Sequence, residues 1–417
     1  MDRNERQELS RVRWIKSKCR ATIEACTGYG KTRVAINCIN SLLRKYPDKK
    51  VLIVVPTTGL LEQWSKQIEN YQLQFSCDVQ IINTVIKHNW TCDLLVIDEA
   101  HRAAADQLSQ VFTKVYYKLI LGLTATLNRL DGKDEIIRKY CPVCDTVTLL
   151  EAQLNGWVSR FTEYEVILEV PDIDVYKKYN KEFTASFEFF GFDFNKAMAC
   201  IGANGYKTRY EMSKERYPHD EEARKAYFNQ VTYHATAFMR AIQARKKFIN
   251  SHEKKLEVTR RIINARPFSK IITFSNSIKM AEAIGIGYVY SGKDSKKKGR
   301  MTIEEFSKLS NGVLNSSQKA NEGLDVPNLS VAIMLGIDSS RIKATQRVGR
   351  VVRAEGEDKR AEIFNLVIKD TVECEWFRKA HPEGNYTIID EEGLDKVLAG
   401  ETPEPYKKPV KNFTFRF

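Results

Sequence analysis

Two groups of residues in this sequence have the types and order needed to hold and cleave a phosphate chain. The first is Ala25-Cys-Thr-Gly-Tyr-Gly-Lys-Thr32. Glycines at 28 and 30 let the backbone curl, so that the N–H groups of Thr27, Gly28, Tyr29 and Gly30 face phosphate oxygens at the start of a helix. Lys31 supplies a cation for the β- and γ-phosphates, and Thr32 a hydroxyl for Mg²⁺. The first position is Ala25, where the strict pattern has glycine. The second group is Leu94-Leu-Val-Ile-Asp-Glu-Ala-His101, an apolar run ending in two adjacent carboxylates. Asp98 is suited to the shell of the metal, and Glu99 to orienting and deprotonating an attacking water. The bland readings are an ordinary glycine turn and a charged turn after a strand. Each loses weight because the other group is present in the same chain.

Such a loop works only between a strand and a helix, and the surrounding pattern supplies both. Arg20–Ala25 reads as a strand, and a helix follows from Lys31 to about Lys45. Lys50–Val55 reads as a buried strand, with a helix from about Gly59 to Asn70. Val79–Asn83, Leu94–Ile97 and Leu119–Leu123 read as three further strands. Near-continuous apolar runs suit strands covered on both faces, as in a parallel α/β sheet. The stretch 171–255 is rich in Tyr, Phe and Lys and reads mainly as helix. Its Phe183, Phe187, Phe190 and Phe194 fall at helical spacing and are expected in a core. Alternation returns near Lys270, with strands expected at Ile271–Phe274, Tyr288–Tyr290, Gly312–Leu314, Ser330–Leu335 and Ala361–Ile368. The expected organisation is 1–165, a mainly helical insertion 166–255, a second α/β unit 256–372, and a C-terminal extension 373–417.

The chain of 417 residues carries a formal charge of +13, which suits a polyanionic partner because lysines and arginines release counterions from phosphates. No apolar run approaches the roughly 20 residues of a membrane span. The charged start, Met1-Asp-Arg-Asn-Glu-Arg-Gln-Glu, does not read as a signal peptide. Nine scattered cysteines fit a reducing compartment, and Cys141-Pro-Val-Cys144 reads as two thiols in a turn. The expectation is a soluble, cytoplasmic protein, which leaves room for a virus- or phage-encoded one acting in a host cytoplasm.

Further along the chain, shorter segments complete a pattern. Pro56-Thr-Thr-Gly-Leu-Leu-Glu-Gln-Trp64, Thr124-Ala-Thr126, Ile272-Thr-Phe-Ser275, Ser317-Gln-Lys-Ala-Asn-Glu-Gly-Leu-Asp-Val-Pro327 and Gln346-Arg-Val-Gly-Arg-Val-Val-Arg353 occur in that order. With the loop and the Asp98–His101 box, the ordered set resembles motifs I, Ia, II, III, IV, V and VI of the superfamily 2 helicases. It looks most like the compact branch of phage UvsW, XPB and restriction-enzyme motor subunits. The resemblance implies two tandem RecA-like parallel-sheet domains closing on ATP and Mg²⁺. It implies that Arg350 and Arg353 reach across as arginine fingers, a task suited to the fixed charge of guanidinium, with Gln346 near the γ-phosphate. Gly323 and Asp325 match positions near nucleotide and ribose. Gln7, 18 residues before Ala25, matches an adenine-reading glutamine, although an ordinary helix-start residue is the competing reading. His101, Thr124 and Thr126 match residues that couple the motifs. Thr57, Gln63, Thr84, Ser275, Asn276 and Ser317 match contacts to the nucleic-acid backbone, made by small hydroxyls and amides that grip phosphate without reading sequence. Trp64 reads as core, and the basic run Lys293–Arg300 as either a phosphate contact or a solvated loop.

The expected function is ATP-dependent unwinding or branch remodelling of nucleic acid, DNA favoured over RNA, with 3′-to-5′ travel by resemblance. Two alternatives stand beside it: a double-strand DNA translocase serving as motor of a larger complex, and an ATP-gated clamp that does not unwind. The chain is expected to act as a monomer or within a replication, recombination or repair complex.

Overall fold

Val51-Leu-Ile-Val-Val55 is buried at every position, and so is Leu94–Ile97. Strands of this kind need cover on both faces, and crossover helices provide it. The computed structural model describes residues 1–127, 132–291, 296–317, 326–337, 360–382 and 384–406.

The first sheet holds β1 (Arg20–Ala25), β2 (Val51–Val55), β3 (Cys77–Ile81), β4 (Trp90–Asp98), β5 (Val115–Thr124) and β6 (Val143–Val147). Its order is β3-β2-β4-β5-β1-β6, parallel throughout. β1 and β4, which carry the two chemical groups, are separated only by β5. Their carboxyl ends, with the loops that follow, therefore open on the same edge, where ligands of parallel α/β sheets bind. The N-terminal helix Arg3–Lys16 starts on a capping box between Asp2 and Glu5 and packs beside this sheet.

The second sheet holds β7 (Arg160–Leu168), β8 (Lys270–Ser275), β9 (Tyr288–Tyr290), β10 (Gly312–Ser317), β11 (Val331–Met334), β12 (Arg360–Ile368) and β13 (Thr387–Ile389). Its order is β13-β7-β12-β11-β8-β10-β9. β7 pairs with β12 along its full length, from Arg160 opposite Arg360 to Leu168 opposite Ile368. For that reason we propose a boundary between the units within 148–159, ahead of the 165 read from the sequence. Residues 387–398 add β13 and the helix Glu391–Leu398 to the second unit, where Leu394 and Val397 join its core.

Between β7 and β8 lie helices at Ile173–Phe189, Phe194–Ala199, Tyr206–Arg216, Glu221–Ser251 and Glu253–Ala265. The last two of these helices are separated at His252, which leaves the helical region and caps the next helix by accepting from Lys254 N at 3.1 Å. Phe183, Phe187 and Phe190 are buried together against Phe238; Phe194 touches Phe238 but stays half-exposed. The root of this insertion is fastened to the second sheet. Tyr176 and Ile249 pack on Ile368 and Val372, and the Val372 N–H donates to the Tyr176 hydroxyl at 3.0 Å. Among the described residues no helix is long and apolar enough to cross a membrane.

Candidate active site

The loop after β1 takes the curled form that its glycines permit. Gly28 and Gly30 have φ of +88° and +99°, in the left-handed region where a side chain is strained. A Cβ on Gly30 would also come within 2.5 Å of Gln7 Nε2. The helix Lys31–Lys45 begins directly after it. The Lys31 ammonium is folded back over the loop, donating to the Ala25 carbonyl at 2.9 Å and lying 3.5 Å from that of Cys26. Thr32 is in the first turn of the same helix.

Asp98 ends β4 and is 8% exposed. One carboxylate oxygen accepts from Trp64 Nε1 at 2.8 Å and the other from the Glu99 backbone N–H at 2.9 Å. Trp64 is thus a core residue that orients this carboxylate. Burial, and then the neighbouring Glu99, push the Asp98 carboxyl up to about 6 against the pull of Trp64 and Lys31. Glu99 has φ of +49°, a conformation that costs about 1–3 kcal/mol in a residue with a Cβ. Glu99 Oε2 is buried and has no hydrogen-bond donor among the described residues, with His101 Nδ1 3.4 Å away.

From His101 a chain of contacts runs to the end of β5. His101 Nδ1 lies 3.1 Å from the Thr124 hydroxyl, which donates to the Thr126 carbonyl at 2.9 Å and accepts from the Thr126 N–H at 3.3 Å. With the hydroxyl hydrogen committed to Thr126, the imidazole hydrogen is assigned to Nδ1. His101, Thr124 and Thr126 are all buried. The structure therefore brings Glu99, His101, Thr124 and Thr126 into one contiguous line.

Gln7 is 4% exposed, and its Nε2 donates to the Tyr29 carbonyl at 2.8 Å, so its amide nitrogen is engaged by the loop backbone. Arg3, which sequence reading passed over, donates to the carbonyls of Gly28 and Tyr29. The available signal was the spacing of Arg3, Gln7 and Ser10, which share one helix face. Burial holds the Arg3 guanidinium below its usual range, opposed by Cys26 and Tyr29.

The residues matched to nucleic-acid contacts follow the carboxyl ends of strands in both units. Thr57 caps the helix Thr58–Asn70, accepting from Leu60 N at 3.3 Å. Gln63 and Thr84 are exposed. Ser275 and Ser317 face each other at the ends of β8 and β10, both buried, and the Ser275 hydroxyl donates to the Ser277 carbonyl at 2.8 Å. Asn276 Nδ2 donates to Asn250 Oδ1 at 3.1 Å, in the last turn of the helix Glu221–Ser251. Gly323, Asp325, Gln346, Arg350 and Arg353 lie outside the described residues, as do the side chains of most of Lys293–Arg300.

A cavity between the units is lined by Glu24, Cys26 and Thr126 from the first and by Glu163, His381 and Asn385 from the second. The nucleotide loop thus adjoins a cleft with a wall from each unit.

Comparison with known proteins accords with this geometry. The model described as type III restriction enzyme, res subunit, matches residues 3–91 and 78–129, and that for the helicase conserved C-terminal domain matches 254–355. The DNA 3′-5′ translocase XPB2 of Sulfurisphaera tokodaii is 26% identical over 396 residues, covering 88% of this chain and 81% of that protein. Other curated relatives are longer, and the chain spans 60% of one and 31% of another. Among solved structures, S. cerevisiae Dbp5 bound to RNA and ADP BeF3 superposes with a TM-score of 0.58 at 13% identity, covering 94% of this chain and 91% of that one. The Pyrococcus furiosus Hef helicase domain gives 0.50 at 19%, covering 90% and 97%. At these identities the structures speak for the fold, two RecA-like sheets in series. The two family models that follow one another along the chain, with the XPB2 relative, make this protein an ATP-hydrolysing superfamily 2 helicase, related to the XPB and restriction-motor types.

Proposed function

We propose that the protein is a DNA translocase that travels 3′ to 5′ and unwinds or remodels branched duplex, with ATP hydrolysis stimulated by nucleic acid. The loop Thr27–Lys31 holds the triphosphate through backbone N–H groups and the Lys31 ammonium, which must leave the Ala25 carbonyl to do so. Thr32 and Asp98 would hold Mg²⁺, whose contribution is to neutralise charge on the phosphates. The donor set fits, because Asp98 is buried beside a second carboxylate and fixed in orientation. Glu99 accepts the proton of the attacking water, and Gln346, Arg350 and Arg353 complete the site from the second unit. Gly323 and Asp325 approach the nucleotide, and Gln7 supports the loop and favours adenine. Thr57, Gln63, Thr84, Ser275, Asn276 and Ser317 form the phosphate track.

The observation that carries this reading is the Glu99 turn. A strained backbone holds a half-buried carboxylate whose Oε2 is buried without a hydrogen-bond donor, 3.4 Å from His101 Nδ1 and so in line with His101, Thr124 and Thr126. Strain of this kind is kept where a group must be aimed. The line gives hydrolysis at Glu99 a route to the end of β5. Lys31→Ala and Glu99→Gln are each expected to abolish nucleic-acid-stimulated ATPase while leaving the fold intact by circular dichroism. Near-normal turnover in either variant would remove the site assignment. DNA is favoured because XPB2, 26% identical over 88% of this chain and 81% of its own length, is named a DNA translocase; stimulation by DNA and RNA of matched sequence decides it. A second reading, a double-strand translocase within a larger complex, draws on the match to a restriction subunit. Strand displacement measured beside triplex displacement separates the two, and an ATP-gated clamp would show neither.

A further inference from the structure

The N-terminal helix Arg3–Lys16 touches both the nucleotide loop and the connector between the units. On one side it grips the nucleotide loop. Arg3 Nε and Gln7 Nε2 donate to the Tyr29 carbonyl at 3.0 and 2.8 Å, Arg3 Nη2 donates to the Gly28 carbonyl, and the Ser10 and Tyr29 hydroxyls lie 3.0 Å apart. These carbonyls belong to the same peptide units as the N–H groups of Tyr29 and Gly30, which the proposed site offers to phosphate; the Tyr29 N–H donates to the Cys26 carbonyl at 3.3 Å here. A ligand that draws those N–H groups toward itself must turn the carbonyls that the helix holds, because each peptide unit is planar.

On its other side the same helix reaches the connector between the units. Arg6, 4% exposed, forks onto Asp145 of β6 at 2.7 and 3.0 Å, and its Nε donates to Glu151 at 2.9 Å. Glu151 lies in the helix Leu149–Leu154, the first element of the connector. The connector also meets the loop directly, since the rings of Trp157 and Tyr29 are 5.9 Å apart. From here Gln153 Nε2 donates to the Phe161 carbonyl at 3.0 Å, which is already in β7.

Trp157 carries a further signal. It is 4% exposed and its indole N–H has no acceptor among the described residues. A buried donor left unpaired costs about 1–3 kcal/mol, and a phenyl ring would fill the place without that cost. An indole here suits a position whose N–H gains its acceptor in another arrangement of the cleft.

We propose that Glu151 and Trp157 are positioning residues that couple the nucleotide loop to the connector, so that occupancy of the loop moves β7 and with it the second sheet. Neither belongs to the nucleotide site; they act through Arg6 and Tyr29. The inference rests on the reading that nucleic acid stimulates hydrolysis. Its test uses the full chain with Glu151→Gln, which removes the charge facing Arg6, and Trp157→Phe, which keeps a ring and removes the N–H. Both variants are expected to melt near wild type and to keep the basal rate and the KM for ATP. The nucleic-acid-stimulated kcat falls by about 5- to 150-fold, the range of an ordinary coupling between sites. Adding a non-hydrolysable ATP analogue changes tryptophan emission in wild type, and Trp157→Phe, while still binding the analogue, loses the part of that change that Trp157 gives, leaving the response of Trp64 beside Asp98. A merely structural role predicts lowered melting temperatures with the stimulation ratio intact, and that result overturns the proposal. An emission change of wild-type size in Trp157→Phe overturns it too. If nucleic acid leaves the wild-type rate flat, the earlier reading fails, and the emission arm still decides the coupling.

Discussion

Glu165 is fully buried on β7, and neither of its carboxylate oxygens has a hydrogen-bond partner among the described residues. Burial pushes its carboxyl up to about 7, against the opposing pull of Arg378 and His381. In the unfolded chain it returns to the ordinary value of 4.5. Between those values the native state binds a proton that the unfolded state releases, so stability falls as pH rises. The contribution is fully present below the unfolded value and is lost through about 7. Glu165→Gln, a neutral isostere, is expected to flatten this dependence and to raise stability on the alkaline side by roughly 1–3 kcal/mol. Melting curves of both proteins across that range check it; a difference between them that does not vary with pH would dismiss the idea. At this scale the sequence was most readable where neighbours in the chain are neighbours in the site. Gly28, Gly30, Lys31, Asp98 and Glu99 needed only their local strand and turn. The ties of Arg6 to Asp145 and Glu151 span 139 and 145 residues, and nothing in a local pattern announces them.

Among elements, the helices Glu253–Ala265 and Val372–Ala380 are joined by an ion pair that water does not reach. Lys255 and Glu373 are 2.6 Å apart with both side chains fully buried. Lys255 also donates to the Leu335 carbonyl at 2.8 Å, and Glu373 accepts from the Ile368 N–H at 3.2 Å. Burial opposes the charge on each partner, and the other partner restores it. Lys255→Met alone leaves a buried carboxylate unpaired and is expected to cost about 3–5 kcal/mol in denaturant unfolding. Lys255→Met with Glu373→Leu is expected to recover most of that loss; a double variant as unstable as the single one would mean that packing, rather than charge, is at stake. Element types were legible where apolar runs were dense, as in β1, β2 and β4. β7 was hidden because its buried face carries Glu163 and Glu165, which break the expected alternation of apolar residues. β6 mixes polar residues into a five-residue strand, and β13 is three residues long. None of these offers a periodic signal above its surroundings.

Across the whole molecule, the formal charge of +13 makes binding to nucleic acid salt-dependent. The logarithm of affinity should fall linearly with that of salt, by about 0.7–0.9 per neutralised phosphate. Affinity unchanged from low to moderate salt, measured by fluorescence anisotropy, would argue against a phosphate track. The helical insertion is rooted on β12 and the helix that follows it, through Tyr176, Ile249, Ile368 and Val372, and Asn250 reaches Asn276 beyond β8. It is expected to travel with the second sheet when the cleft closes. A pair of fluorophores on the insertion and the second sheet should keep its transfer efficiency when an ATP analogue binds, while a pair on the insertion and the first sheet should not. Equal changes in both pairs would show the insertion to be an independent body.

The placement of β7 also bears on how the chain reaches its native state. All six strands of the first sheet are complete once Val147 has been made. β7 comes next, yet its partners β12 and β13 begin at Arg360 and Thr387. During synthesis the first unit can close while the second waits for strands some 200 residues downstream, with the insertion made in between. Contacts so distant along the chain are slow to form because a long loop must close first. Pulsed hydrogen exchange during refolding should find amides of β1, β4 and β5 protected before those of β7; the reverse order would mean that the second sheet nucleates without waiting for its late strands.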